Sequence, residues 1–282
     1  MFPTPIEKTS RSWQLTYQTL LPMSLVLWLL PLVSVAVFSI KPDGDFVQGN
    51  YWGMPSSFNA LENYGKVFFA SDMPRYLLNS VFITVPTVVG CVILSSMTGF
   101  ALGVYKFRSN LWVFFMFVAG NFVPFQILMV PVRDLTLDMG LYNTKTGLIL
   151  FHVAFQTGFC TLFMRNFIRA LPFELIEAAR VEGVAEWRIF WFVVLPLMKP
   201  AIAAMSVLIF TFIWNDFFWA VVLTQGAESQ PVTAGITSFN AQYRAAYHLM
   251  SAGSIVAALP PVAMFFLMQR HFIAGLTLGA VK

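Results

Sequence analysis

Long stretches without a formal charge alternate along the chain with short polar ones. No Asp, Glu, Lys or Arg occurs in 12–40, 76–105, 109–132, 146–164, 200–215 or 245–269. At 1.5 Å rise per residue, a helix of about 20 apolar residues crosses the hydrocarbon core of a bilayer. Five of these stretches approach or exceed that length, and the one from Pro200 is interrupted at Asp216 but runs on without charge to Ala227. The pattern predicts an all-α polytopic membrane bundle of six transmembrane helices. A polar leader occupies 1–14, and 15–282 then forms one membrane domain. Helices are expected over about 15–40, 75–105 and 109–132, then to about 165, then from about 200 and about 245. Residues 41–74, rich in Gly, Pro, Asn and Ser, form an outer loop too short for an independent domain.

Composition strengthens this reading. The chain is 58% hydrophobic and 11% charged, against about a quarter charged residues in soluble domains. The first apolar stretch is too long for a signal-peptide core and has no small-residue cleavage site behind it, so it is expected to stay as the first span. Lys and Arg near helix ends set orientation. With the N-terminus inside, eleven of the seventeen fall on the cytoplasmic side: Lys8, Arg11, Lys106, Arg108, Arg165, Arg169, Arg180, Arg188, Lys199, Arg270 and Lys282. Six fall outside. Both termini and the polar gap at 170–200 are therefore expected in the cytoplasm. The net charge of +4 reflects this bias and gives no reason to expect nucleic acid. Cys91 and Cys160 lie in predicted spans and read as packing residues. Prolines at 22, 31, 86, 124, 131, 260 and 261 each remove a backbone donor, which a bundle lining a cavity tolerates.

The polar gap is the most organised stretch. Pro172 suits the first turn of a helix over about 173–182. Phe173, Ile176 and Arg180 fall on one side, and Ala178 and Ala179 let a partner backbone approach. Gly183 can adopt positive φ and end the helix. Trp187, Phe190, Trp191 and Val194 then follow an i, i+3, i+4, i+7 pattern, which predicts one apolar face. Leu195-Pro196 and Lys199-Pro200 turn the chain back to the membrane. An amphipathic helix on the bilayer surface accounts for the tryptophans. It does not account for Glu174, Glu177, Glu182 and Glu186, which anionic headgroups would repel. A protein groove fits both features.

From about Asn79 onward the chain resembles the permease subunits of carbohydrate-uptake ABC importers, of the type of the second membrane component of the maltose importer. The resemblance rests on Asn79-Ser80, Glu177-Ala178-Ala179, Gly183, Leu195-Pro196, Lys199-Pro200, Trp214-Asn215-Asp216, Pro231 to Gly235, Gln269-Arg270 and the tail Gly275 to Lys282. The polar gap is similar to that family's "EAA" coupling loop. This implies coupling to an ATPase through Glu177, Ala178, Ala179, Glu182, Gly183, Trp187 and Pro196. Glu182, Val184 and Ala185 stand where the family usually has Asp, Ala and Ser or Thr. Ala185 cannot cap the second helix, and Glu186 in its first turn partly compensates. The resemblance implies a homologous second permease completing the pore, an ABC ATPase dimer and an extracytoplasmic solute-binding protein. It places the chain as a multi-pass protein of the bacterial cytoplasmic membrane.

The chemistry that is missing agrees. No G-x-x-x-x-G-K-[ST] loop is present, so no cofactor is expected in this chain, and ATP and Mg²⁺ belong to a partner ATPase. No His/Cys cluster has metal-ligand spacing, and His152, His248 and His271 read as structural or solvated. Gly99-x-x-x-Gly103 is a weak signal for close helix packing. Asp216 is the one acid well inside a predicted span, where ionisable groups are functional candidates. With Trp214 and Asn215 it resembles a sugar-binding surface, or it pairs with a neighbouring helix and holds the bundle. Asn121, Phe125 and Gln126 form a second polar interruption. Gln156 reads rather as a partner for backbone carbonyls freed by prolines. An importer for polyamines or another small solute and an ATP-independent secondary transporter remain as alternatives. The absence of paired intramembrane charges and of repeats disfavours the latter.

Overall fold

The computed structural model describes residues 10–241 and 244–278. Apart from a two-residue antiparallel ribbon, Asn240–Ala241 with Arg244–Ala245, every regular element among them is helical. The contacts divide the chain into two units.

The first unit comprises residues up to Ser71 and Phe239–Val256. Helix α1 (Arg11–Ile40) is apolar on all sides and almost wholly exposed, as befits a helix solvated by lipid. The segment expected as a plain outer loop is folded around one buried cation. It contains α2 (Asp43–Val47) and α3 (Ala60–Phe69). The Lys41 side chain is fully buried and donates to the Asn50 and Tyr51 carbonyls at 2.8 and 3.0 Å. Its ammonium lies 5.8 and 5.9 Å from the ring centroids of Phe38 and Phe46. Asn63 donates to the Ser39 and Lys41 carbonyls, and Asp45 accepts the Ser56 N–H.

The second unit holds Asp72–Ser238 and the residues from Ala257. Its spine is α4 (Met73–Val104) packed along α7 (Lys145–Ile168). Small residues permit the approach: a Cβ on Gly99 would lie 2.8 Å from Met164 Cβ and 3.0 Å from the Arg165 nitrogen. One turn on, a Cβ on Gly103 would meet Ile168 at 3.3 Å. Thr98 and Thr161 hydroxyls bond across the same seam at 2.7 Å. Arg165 is buried there, donating to the Leu102 carbonyl with its guanidinium 4.0 Å from the Phe114 ring centroid.

Two of the apolar stretches are not single helices. Residues 109–132 divide into α5 (Asn110–Ala119), 3₁₀ turns at Gly120–Phe122 and Phe125–Leu128, and α6 (Met129–Asp138), with an 88° bend. Pro124 has no N–H for a helical bond and holds Val123 extended at φ −72°, ψ 120°. The polar gap holds α8 (Glu174–Val181), α9 (Glu186–Arg188), a π turn at Ile189–Val194 and α10 (Leu195–Leu197), and the stretch from Pro200 divides into α11 (Lys199–Trp214) and α12 (Phe218–Leu223). The segments 186–197 and 199–214 meet at 74° beside Pro200. A short helix α13 (Val232–Gly235) and the long α14 (Tyr247–Leu278) complete the chain, and α1, α4 and α14 run through their internal prolines unbroken. Among the described residues, four helices can cross a membrane by length and composition, and up to six spans result if each bent pair is one.

The α4–α7 seam is tested at Gly99. Gly99→Leu forces a side chain into a filled contact, and overpacking of this kind costs about 1–3 kcal/mol. The detergent-solubilised protein is expected to unfold at a lower temperature, whereas Gly65→Leu, with nothing within 4 Å of the added Cβ, changes the midpoint little. Equal midpoints for the two variants would remove the seam from its place as the spine.

Candidate functional site

The polar gap forms a helical corner. In α8, Ile176 and Ala179 are buried, while Glu177 and Ala178 are exposed. Only one of the two expected contact alanines therefore faces outward, because helical rotation turns Ala179 into the core of its own chain. Gly183 ends the helix at φ 75°, with Gly183 N–H donating to the Arg180 carbonyl and Val184 N–H to that of Ala179. Glu182 and Gly183 are exposed at the corner, and Trp187 and Pro196 lie exposed beyond it. The expected single apolar face is split. Phe190 and Val194 are buried, whereas Trp187 and Trp191 remain 58% and 46% exposed. The π turn changes the angular step per residue, so the i, i+3, i+4, i+7 register does not hold through it.

Ala185 provides no side-chain cap. The start of α9 is held instead by Glu186, which accepts from Arg180 Nε at 2.6 Å, from Arg180 Nη2 at 3.1 Å and from Tyr105 Oη at 2.8 Å. The hydrogen bond from Arg180 holds the Glu186 carboxyl below its ordinary pKa. A depressed carboxylate stabilises the fold above its unfolded pKa and ceases to do so as pH falls through the folded one. The corner is therefore held at neutral pH and loosened by acid.

A cavity of about 850 Å³ opens among α7, α11, the two broken spans and Phe265. Aromatic rings make half of its lining: Phe125, Phe155, Phe159, Phe212, Phe217, Phe218, Trp219 and Phe265. Asn121, His152, Gln156, Thr211, Asn215 and Asp216 supply the polar groups. Four of the expected path residues thus meet here, namely Asn121, Phe125, Asn215 and Asp216. Two do not line it. Gln126 is exposed on the 3₁₀ turn, and Trp214 is buried with its indole N–H donating to the Ala257 carbonyl at 2.9 Å. Gln156, expected to serve a backbone carbonyl, is on the cavity wall.

Asp216 lies in the break between α11 and α12, outside any helix. Its carboxylate accepts from the backbone N–H of Trp219 at 3.4 Å and of Ala220 at 3.0 Å, capping α12. The buried His152 places Nε2 3.4 Å from Asp216 Oδ2. Sequence reasoning missed His152 as a wall residue, since one histidine in an apolar helix carries no spacing signal. Asn121 serves the carbonyls of Phe117 and Val118 just before the Pro124 break.

Motifs far apart in sequence brace that break. Asn79 donates to the Ala227 and Gln230 carbonyls at 2.9 Å and accepts from Lys145 Nζ at 3.1 Å. The Ser80 hydroxyl accepts the Val232 N–H at 2.8 Å. Thr233, within the Pro231–Gly235 motif, donates to the Asp216 carbonyl. The side chains of Gln269 and Arg270 and the tail from Gly279 to Lys282 lie outside the described residues.

Comparison with known proteins agrees with this architecture. The family described as "Binding-protein-dependent transport system inner membrane component" matches residues 72–277. The arabinooligosaccharides transport system permease protein AraQ of Halalkalibacterium halodurans is 34% identical over 255 residues, covering 89% of this chain and 90% of AraQ. The osmoprotective compounds uptake permease protein GgtD of a Synechocystis species is 32% identical over 262 residues, covering 91% and 88%. A chain in the crystal structure of a bacterial ABC transporter involved in the import of the acidic polysaccharide alginate superposes with a TM-score of 0.79 at 24% identity, over 95% of this chain and 100% of that one. The fold is shared with that structure, and the family match and the two relatives make the chain a member of the inner membrane components of binding-protein-dependent transport systems, the permease subunits of ABC importers.

Proposed function

We propose that this chain forms half of the translocation pore of a bacterial importer for a carbohydrate or carbohydrate-like solute. The cavity carries the reading. Flat aromatic faces suit the C–H surfaces of a sugar, and Asn121, Gln156, Asn215 and His152 at their edges suit its hydroxyls. Among the described lining residues Asp216 is the one acid in an otherwise apolar and neutral polar wall, which favours a neutral polyhydroxylated solute over a polycation such as a polyamine. The relative named for arabinooligosaccharides supports the same solute class.

A homologous second permease completes the pore in this reading. An extracytoplasmic binding protein delivers the solute. Six spans, the third running through the bend at Pro124 and the fifth taken from Lys199 onward, put both termini and the 173–194 element in the cytoplasm, as the Lys and Arg distribution requires. There an ABC ATPase dimer, carrying ATP and Mg²⁺, docks on the exposed Glu177, Ala178, Glu182, Gly183 and Trp187. Coupling requires that ATP favour the outward-open state over the inward-open one.

Orientation is checked by cysteine labelling. The native Cys91 and Cys160 are buried. Glu228→Cys is expected to react with a membrane-impermeant thiol reagent in intact cells, and Ala185→Cys only after the cells are opened. The reverse pattern refutes the assignment.

The docking corner is checked at Gly183. A β-branched residue at φ 75° is strained by about 1–2 kcal/mol. Gly183→Ile is expected to leave the subunits inserted while uptake falls, and normal uptake in this variant sinks the docking reading.

The solute path is checked with the complete complex in proteoliposomes, supplied with binding protein and a labelled oligosaccharide that raises the binding protein's melting temperature. The wild-type complex is expected to accumulate the label on ATP addition. Asp216→Asn is expected to assemble but to transport about tenfold more slowly, the scale of one charge-assisted hydrogen bond. A binding protein stabilised by polyamines and by no saccharide overturns the solute class. Unaltered uptake in the variant removes Asp216 from the path, and a complex that fails to assemble leaves it only the capping role.

A further inference from the structure

We infer that Glu186 is a positioning residue for energy coupling, joining the exposed docking corner to the end of α4 through Arg180 and Tyr105. The inference rests on the docking reading above.

The three residues come from three places. Arg180 is in the last turn of α8, Glu186 opens α9, and Tyr105 is the first residue beyond α4. Both Glu186 oxygens are engaged: Oε1 by Arg180 Nε, Oε2 by Arg180 Nη2 and by the Tyr105 hydroxyl. The Arg180 guanidinium also lies 5.8 Å from the Tyr105 ring centroid. Isolated exposed ion pairs hold little, because two long side chains must be ordered in water. This one differs in its forked geometry and in a third donor from another element.

The corner needs such a brace. Between α8 and α9 the chain turns at Gly183 with positive φ, and no side chain caps α9. Apolar contacts of Ile176 and Ala179 seat α8 on the bundle, but they are not directional. The forked Arg180–Glu186 pair fixes the angle between the two helices, and Tyr105 ties that rigid corner to α4. A second contact runs parallel to it, since the Phe100 ring of α4 lies 5.3 Å from Phe190 in the π turn and 5.6 Å from Tyr105. Helix α4 packs on α7, whose His152, Gln156 and Phe159 line the cavity. A push on α8 thereby reaches the cavity wall through α4 and not only through α11. Proximity alone does not establish coupling, so the test measures coupling itself.

The complete complex is reconstituted in proteoliposomes, and three quantities are read: ATPase retained on purification, ATP hydrolysed and labelled solute accumulated. Tyr105→Phe removes one hydroxyl and keeps the ring. Glu186→Gln keeps the shape and removes the charge. Each is expected to retain the ATPase and to raise the ATP consumed per solute by about three- to tenfold, the range for losing one ordinary hydrogen bond. The double variant is expected to be no more than about twofold worse than Glu186→Gln, because both changes act on one network. Unchanged ATP per solute in both single variants overturns the inference. If Glu186→Gln releases the ATPase, Glu186 is a docking contact, and the inference falls while the docking reading stands. If the wild-type chain does not retain the ATPase, the docking reading falls and takes this one with it. Should Glu186→Gln fail to assemble, the Tyr105→Phe ratio alone decides.

Discussion

Hydrocarbon cannot hydrogen-bond a peptide group, and the structure is organised around that constraint. Each time the chain leaves the helix at membrane depth, a side chain must take over the freed donors and acceptors. Asn121 takes the Phe117 and Val118 carbonyls before Pro124. Asn215 takes the Thr211 carbonyl, Asp216 the Trp219 and Ala220 N–H groups, and Thr233 donates to the Asp216 carbonyl. The cavity occurs where these repairs are made. Its polar wall and its backbone satisfaction use the same side chains, so a solute meets groups already fixed in place.

The close-packed pair α4 and α7 gives those broken spans a rigid support. Glycines at 99 and 103 bring the two backbones together, and the buried Arg165 closes the seam by bonding the Leu102 carbonyl. The two ends of α4 engage different parts of the molecule. Near its start, Asn79 and Ser80 hold the 227–232 segment, and the Pro231–Gly235 motif in turn steadies the Asp216 break. Beyond its last turn, Tyr105 reaches Glu186 in the helical corner. One helix thus touches both the element that would receive force and the segment that shapes the cavity.

Much of this was legible in the sequence. Charge-free stretches marked the apolar segments, because a formal charge at membrane depth is costly whatever its neighbours. Gly183 marked a helix end, because positive φ is a local demand that glycine meets best. The family resemblance marked Asn215 and Asp216, and a polar interruption of the apolar stretch beside Pro124 marked Asn121.

What stayed hidden depended on position in three dimensions. Lipid-facing helices are apolar on every side, so their pattern does not say which face meets protein. Ala178 and Ala179 were equivalent by type, and only packing turned one outward and one inward. The same holds for Trp214, which holds the last helix instead of lining the cavity. Prolines at 86 and 124 look alike along the chain, yet α4 runs through the first and the chain breaks at the second. His152 beside Asp216 and Tyr105 beside Glu186 are pairs between residues far apart in sequence. The sequence by itself determined a polytopic membrane chain with a helical corner and a polar break, because length, charge and glycine geometry act locally. Tertiary structure alone decided which polar groups share one cavity and which helix carries the corner, because those outcomes depend on contacts that no local pattern encodes.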